Sequence, residues 1–313
     1  MQYSTFAAID IGSYDVILEI FEISKKQGIR SVDKICHRME LGKDTYTLGK
    51  IRPEMEEELC RVLADFVRIM EGYRVDAYRA MASSAISEAA NSLYVLGKIR
   101  QLTGLSVTVL SNSEQRFLGY KALAAMEDNF NKVIEKGTAI LDLDGGSFQI
   151  SLFDKDALVT TQNIRMGSLR VRERLAGIQS ETEHYEEMVE ELIWNEVSSF
   201  KKMYLKDRKI ENIMLIGDVF TDSVYQNIEE KTTKIISREN FNTWYEKVTD
   251  GAGCQAWHPA GECFADVPVR RDLQMSDRHD GGRACMDPGR AYDARHRIRI
   301  CGADETAKRK PQL

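Results

Sequence analysis

No uninterrupted apolar run among these 313 residues approaches the ~20 needed to cross a bilayer. A basic surplus is also missing: 43 Lys and Arg stand against 49 Asp and Glu, for a net charge of -6. That balance gives no electrostatic reason to bind nucleic acid or an acidic membrane, so an anionic ligand would need a local, pre-organised site. The six cysteines include no C-x-x-C pair, and a chain of this length needs no disulfide staples. The opening Met-Gln-Tyr-Ser-Thr carries no basic residue and runs straight into strand-like sequence, so no signal peptide is expected. These absences describe a cytoplasmic protein with buried or incidental thiols. Apolar content of 43% and charged content of 29% are those of a soluble globular chain.

Proline is nearly absent until residue 250, and then the composition breaks. Four of the five prolines and four of the six cysteines fall in residues 251–313, with nine arginines and two lysines. Neither helical nor strand periodicity persists there. A metal module is one reading, because Cys254, His258, Cys263, His279 and Cys285 cluster, but their spacings match no usual zinc pattern. A disordered tail is another, with Trp257 and Phe264 poorly suited to it. Translation in a shifted frame would change every residue preference at once, as observed. No functional residue is expected in this tail.

Ahead of the break, strands and amphipathic helices alternate, and one unit occurs twice. Phe6-Ala-Ala-Ile-Asp10-Ile-Gly12-Ser13 and Ile140-Leu-Asp142-Leu-Asp144-Gly145-Gly146-Ser147 each read as an apolar strand with an aspartate at its end, a Gly/Ser turn, and a second apolar strand. A repeat at this separation predicts two similar halves, residues 1–125 and 126–250. Glycines in such a turn allow backbone N–H groups to approach a ligand, serine adds a donor, and a strand-end aspartate can hold Mg²⁺ beside phosphate oxygens. Between the hairpins, helices are expected over 53–70 and 86–102, strands over 75–81 and 107–110, and a capping box at Ser111-Asn-Ser-Glu114. After the second hairpin come a strand near 157–163, an acidic helix over 181–204 packing Tyr185, Met188, Leu192 and Trp194, a strand over 213–216 and a helix from about Ser237. His37 and His184 sit in no ligand spacing.

Five segments carry a resemblance: "AAIDIGS" at 7–13, "MASSAISEAAN" at 81–91, "VLSNSEQRFLGY" at 109–120, "ILDLDGGSFQIS" at 140–151 and "NIRMGSLRVRE" at 163–173. In this order and spacing the chain, over residues 5–248, resembles the exopolyphosphatase / guanosine pentaphosphate phosphohydrolase family. The resemblance implies an α/β fold of duplicated actin-like halves around a central cleft, and Mg²⁺-dependent hydrolysis of a terminal phosphoanhydride in polyphosphate or guanosine pentaphosphate. It further implies that Gly12, Ser13, Gly145, Gly146 and Ser147 bind phosphate, that Asp10 and Asp142 hold the metal, and that Glu114 is the base activating water. Family members are often dimeric, so a homodimer is possible, although no residue here argues for it independently.

Departures fall on the residues expected to do chemistry. The family's D-I-G-S-N-S has Tyr14 and Asp15 at its last two places, its A-T-S-A-x-R has Ser87 for arginine, and its E-E-A is Glu114-Gln115-Arg116. Its D-x-G-G-G-S-T-E is here Asp142-Leu-Asp144-Gly145-Gly146-Ser147-Phe148-Gln149. Ser87 removes a bidentate phosphate donor, and Gln115 accepts no proton. Arg116 is a candidate to supply the charge lost at residue 87. Asp144 adds a negative charge to a loop meant for anions, at a cost on the order of 1–4 kcal/mol without a cation or proton; it either caps the turn or adds a metal ligand. "GDVFTD" at 217–222 replaces a glycine-rich nucleotide turn. Together these departures keep a second reading open, a degenerate relative that binds a phosphorylated ligand or a protein partner.

Overall fold

The computed structural model describes residues 3–26, 28–126, 130–179, 185–205, 208–216, 234–236, 282–287 and 297–302. Two compact units divide the chain, the first built on Met1–Met126 and the second starting at Glu127.

In the first unit, β1 (Ser4–Ile11), β2 (Asp15–Ser24) and β3 (Gly28–Arg38) form an antiparallel meander. The chain continues through α1 (Leu41–Leu48), α2 (Pro53–Gly72), β4 (Ala77–Ala82), α3 (Ser84–Ser87), α4 (Ser92–Thr103), β5 (Val107–Val109) and α5 (Asn112–Met126). The sheet order is β3-β2-β1-β4-β5, with β4 parallel to β1 and β5 parallel to β4. Strict alternation puts Ala7, Ile9 and Ile11 of β1 and Val16, Leu18 and Ile20 of β2 on one face, all fully buried. Against them pack Leu59, Leu63, Phe66 and Met70 of α2 and Val95 and Ile99 of α4. Each such side chain contributes roughly 1.5–3 kcal/mol on burial. Pro53 opens α2 and Gly104, at φ 73°, closes α4.

The helix expected over 86–102 is two elements. Asn91 separates them, because its amide is spent on the backbone of Ile51, with Oδ1 accepting from Ile51 N at 3.0 Å and Nδ2 donating to Ile51 O at 2.8 Å. Asn91 Nδ2 and Lys98 Nζ also donate to the buried Glu56 carboxylate, at 3.1 and 3.2 Å, and so tie α4 to α2.

The second unit comprises α6 (Phe130–Ile134), β6 (Thr138–Leu143), β7 (Phe148–Asp154), β8 (Ala157–Ile164), α7 (Ser168–Gln179), α8 (Tyr185–Phe200) with a π-turn over Lys201–Leu205, β9 (Asn212–Ile216), β10 (Lys234–Ile236), β11 (Gly282–Asp287) and β12 (Arg297–Gly302). Its sheet runs β10-β11-β12-β9-β6-β7-β8. The block β8-β7-β6-β9 repeats β3-β2-β1-β4 in order and direction, with two antiparallel neighbours on one side and a parallel one on the other. The repeat breaks at the next place, where parallel β5 has as its counterpart antiparallel β12, drawn from residues beyond 250.

Ala139, Leu141 and Leu143 of β6 and Phe148, Ile150 and Leu152 of β7 face α7 and α8. The buried stripe of α8 is Val189, Ile193, Val197 and Phe200, whereas Trp194 is exposed. Of the side chains expected to pack, Leu192 lies against this core and Trp194 does not, because the buried stripe is the adjacent one, richer in β-branched side chains. The helix expected from Ser237, His184 and the segment 217–222 lie outside the described residues. Among the described residues, no helix is long and apolar enough to cross a membrane.

Candidate active site

The strand pattern decides where the two repeated aspartates point. Asp10 follows Ile9 and precedes Ile11, which face the helices, so Asp10 lies on the opposite face of its sheet, half-buried. Its cross-strand neighbours are Ile17 on β2 and Met81 on β4. Asp142 occupies the same place in the second sheet, one residue before the strand ends, on the face away from α7 and α8. There one neighbour is Ile216 on β9, and the other side is polar, since Asp142 pairs with Gln149 and Gln149 with Asn163, forming a row across β6, β7 and β8. Gln149 is 2% exposed, and its Oε1, like Asn163 Oδ1, meets no hydrogen-bond donor among the described residues.

The first loop is held by backbone bonds and by the Ser13 hydroxyl together. Gly12 N donates to Asp15 O at 2.9 Å, and a Cβ added at Gly12 would stand 3.0 Å from that oxygen, so the close approach requires glycine. Ser13 is buried, and its hydroxyl lies 2.7 Å from Tyr46 Oη and 3.4 Å from Ser84 Oγ, while Tyr46 and Ser84 are 2.8 Å apart. Three hydroxyls so placed satisfy one another, each able to donate once. The carbonyls of Ser13 and Tyr14 accept from Gly42 N and Met39 N, at 3.0 and 2.8 Å.

The second loop is held by backbone. Asp144 O accepts from Ser168 N at 3.2 Å, Gly145 O from Arg170 N at 3.0 Å, and Gly146 O from Arg170 Nε at 2.9 Å. Three consecutive carbonyls therefore face the first turn of α7. In a planar trans peptide the N–H points opposite to the C=O, and no cis bond occurs among the described residues. The N–H groups of Gly145, Gly146 and Ser147 consequently point away from the α7 donors that hold the preceding carbonyls. Successive amides aimed one way make an anion-binding concavity. Gly167 permits this arrangement, because a Cβ there would sit 2.3 Å from Asp144 O and 2.4 Å from both Gly145 C and Ser147 N.

Asp144 is half-buried, and its Oδ1 accepts from Gly145 N at 2.7 Å. This contact is the turn-capping one weighed for it.

The capping box at the start of α5 is present. Glu114 Oε2 accepts from Ser111 N at 2.9 Å and from Ser111 Oγ at 2.8 Å, and Glu114 N donates back to Ser111 Oγ at 3.3 Å. The bond from the Ser111 backbone, then that from its hydroxyl, holds the Glu114 carboxyl below the ordinary glutamate value, with Arg79 adding a smaller pull. Arg116 reaches Asn112 O and Ser113 Oγ on its own helix, both at 3.1 Å. Ser87 is exposed.

Within the first unit, then, β1 and its turn carry Asp10, Gly12 and Ser13, and α5 carries Glu114. Within the second, Asp142, Gly145, Gly146 and Ser147 share one hairpin. Sequence reasoning gave no role to Gly167, Ser168 and Arg170, which build the second loop from outside it. Their signal was present in "NIRMGSLRVRE", where a glycine immediately precedes a helix start. Ser168 is 1% exposed, and its Oγ meets no partner among the described residues.

Known proteins align with this architecture. A crystal structure of an exopolyphosphatase from Cytophaga hutchinsonii superposes with a TM-score of 0.71 at 20% identity, covering 88% of this chain and 90% of that one. The Aquifex aeolicus member of the Ppx/GppA family gives 0.69 at 18% identity, with the same coverage of both chains. At these identities the likeness shows the fold, which is the duplicated α/β fold expected. By sequence the chain is 21% identical over 238 residues to a bifunctional 3-dehydroquinate synthase/phosphatase of Fusobacterium nucleatum, covering 72% of this chain and 34% of that protein. It is 25% identical over 144 residues to exopolyphosphatase 1 of Mycobacterium leprae, covering 46% and 41%. The matched parts thus span less than half the length of these curated relatives. The family model for Ppx/GppA phosphatases matches residues 19–255, and the chain belongs to that family.

Proposed function

We propose that this protein hydrolyses the terminal phosphoanhydride of inorganic polyphosphate or guanosine pentaphosphate, with Mg²⁺ as cofactor. The observation that carries the reading is the β6–β7 hairpin, in which three consecutive carbonyls bonded to the start of α7 turn the following amides away from that helix, in the same hairpin that bears Asp142.

Gly145, Gly146 and Ser147 bind phosphate oxygens through backbone N–H groups, whereas in the first unit the Gly12 N–H is already given to Asp15 O. Phosphoryl transfer of this kind depends on positioning and charge neutralisation more than on covalent chemistry. Glu114 orients the attacking water. Its depressed pKa keeps it ionised at neutral pH and makes it a weak base, which suits orientation better than full proton abstraction.

The donor set around Asp142 fits Mg²⁺. One carboxylate, with the orphaned oxygens of Gln149 and Asn163 in the same row, offers hard oxygen ligands of the type this ion takes. Among the described residues, no three His, Cys, Asp or Glu side chains gather as a complete protein cage. Water and substrate phosphates would therefore complete the shell, with Asp142 and Gln149 as its protein holders. When bound, Mg²⁺ neutralises charge developing on the phosphate oxygens.

Release of orthophosphate from long-chain polyphosphate and from guanosine pentaphosphate tests the reading, with and without a chelator. Release that needs Mg²⁺ and disappears in Asp142→Asn is expected. Absence of release from a protein that melts cooperatively would defeat it.

A further inference from the structure

We propose that Asp144 is a built-in occupant of the second phosphate loop, and that a phosphate ligand binds there by displacing it. This inference rests on the loop's reading as a phosphate cradle.

Three observations combine. The carbonyls of residues 144, 145 and 146 are fixed to Ser168 N, Arg170 N and Arg170 Nε, so the direction of the next three amides is set by the fold. The first of those amides, Gly145 N, is taken at 2.7 Å by Asp144 Oδ1, a carboxylate oxygen doing what a phosphate oxygen would do. The loop itself is buried at Gly145, Gly146 and Ser147, where charges are screened less than on an open surface. The side chain belongs to the residue whose own carbonyl is anchored to Ser168. It can therefore leave the amide by rotating about χ1 while the backbone stays in place.

An internal anion of this kind has two effects. It satisfies the Gly145 N–H in the ligand-free protein, which removes the cost of a buried unpaired donor. It also makes the ligand compete with a tethered carboxylate for the first amide, and leaves a like charge beside the phosphate once displaced. Affinity for a bare anion is lowered. A divalent cation that also engages the displaced carboxylate would restore it, so the loop favours the cation-bound form of the ligand over the free polyanion.

Two variants separate occupation from charge. Asp144→Asn keeps an Oδ1 that accepts from Gly145 N but removes the charge. Asp144→Ala removes both. Sodium tripolyphosphate is titrated into the full chain and each variant by calorimetry, with Mg²⁺ and with chelator, after each is shown to melt cooperatively. In chelator, Asp144→Ala is expected to bind at least tenfold tighter than the parent and Asp144→Asn by an intermediate factor. Mg²⁺ is expected to narrow both gaps. Equal gains in the two variants would mean that charge alone opposes the ligand, and would overturn displacement. Parental or weaker binding in Asp144→Ala would overturn the proposal outright, leaving Asp144 as a cap that shapes the loop. Binding by none of the three proteins, in either condition, would instead remove the phosphate-cradle reading of this loop, and the proposal with it.

Discussion

The two hairpins descend from one pattern, yet they secure their turns with different additions. Both place an aspartate one residue before the strand ends, on the sheet face opposite the packed helices. Each turn is closed by the same bond, Gly12 N to Asp15 O in the first and Asp144 N to Ser147 O in the second, and each has carbonyls held by backbone N–H groups from outside the loop. The first loop adds the Ser13 hydroxyl locked among Tyr46 and Ser84, and the second adds the Arg170 Nε bond to Gly146 O. Asp10 lies between Ile17 and Met81, whereas Asp142 has Ile216 on one side and the polar row of Gln149 and Asn163 on the other. A shared strand-turn-strand frame therefore carries one loop whose serine hydroxyl is committed to its neighbours and one loop held by the start of α7 beside a polar row.

Glycine substitutions break this comparison most sharply. Gly167→Ala drives a Cβ against three backbone atoms of the second loop, none of which can move without unseating it from α7. We expect a cost of about 3 kcal/mol, read as a lower midpoint in urea, and loss of nearly all phosphate release. Gly12→Ala meets one oxygen at 3.0 Å, and about 1 kcal/mol is expected with partial activity kept. Equal effects at the two positions would erase the distinction between the loops.

Restoring the family's charges sharpens the functional side. Ser87→Arg with Gln115→Glu returns a phosphate donor and a second carboxylate to the first unit. Phosphate release is expected to rise roughly tenfold or more, given the usual effect of one transition-state donor. A double variant no faster than the parent would show that the site works with a different arrangement.

Tyr46→Phe tests the first loop alone. It removes the middle hydroxyl between Ser13 and Ser84, for an expected loss of about 1 kcal/mol in chemical denaturation. Tripolyphosphate affinity at the second loop is expected to stay unchanged; a parallel fall would mean that both loops serve one binding event.

The smallest effect concerns Glu114. Its folded pKa lies below the ordinary value of 4.5, so its contribution is present above the unfolded value and lost as pH falls through the folded one. Melting temperatures of the parent and Glu114→Gln should therefore differ at neutral pH and converge in acid. A gap that persists below the folded pKa would show that the charge is not what the capping box uses.

Much of this was legible in the sequence because it rests on local pattern. Alternation placed both hairpins, Pro53 and Gly104 marked helix ends, and Ser111 to Glu114 read correctly as a capping box. The repeat anticipated the matched strand blocks. Long-range backbone bonds were not legible. Nothing local to Gly167 announces that its missing Cβ admits Asp144 O and Ser147 N, and nothing local to Asn91 announces that Ile51 claims its amide and splits a helix. On α8 the period was right and the stripe was displaced, since a 3.6-residue repeat fits two adjacent stripes; Leu192 packs as expected, Trp194 does not, and packing against β6 and β7 selects Val189, Ile193 and Val197.

The central claim is that the amides of Gly146 and Ser147 form the anion cradle. Glycine- and serine-selective ¹⁵N labelling with an NMR titration of tripolyphosphate in Mg²⁺ tests it most directly. The account predicts that Gly146 and Ser147 amide signals shift together and saturably, with Gly12 moving less. Saturable binding that leaves both signals unmoved would contradict it.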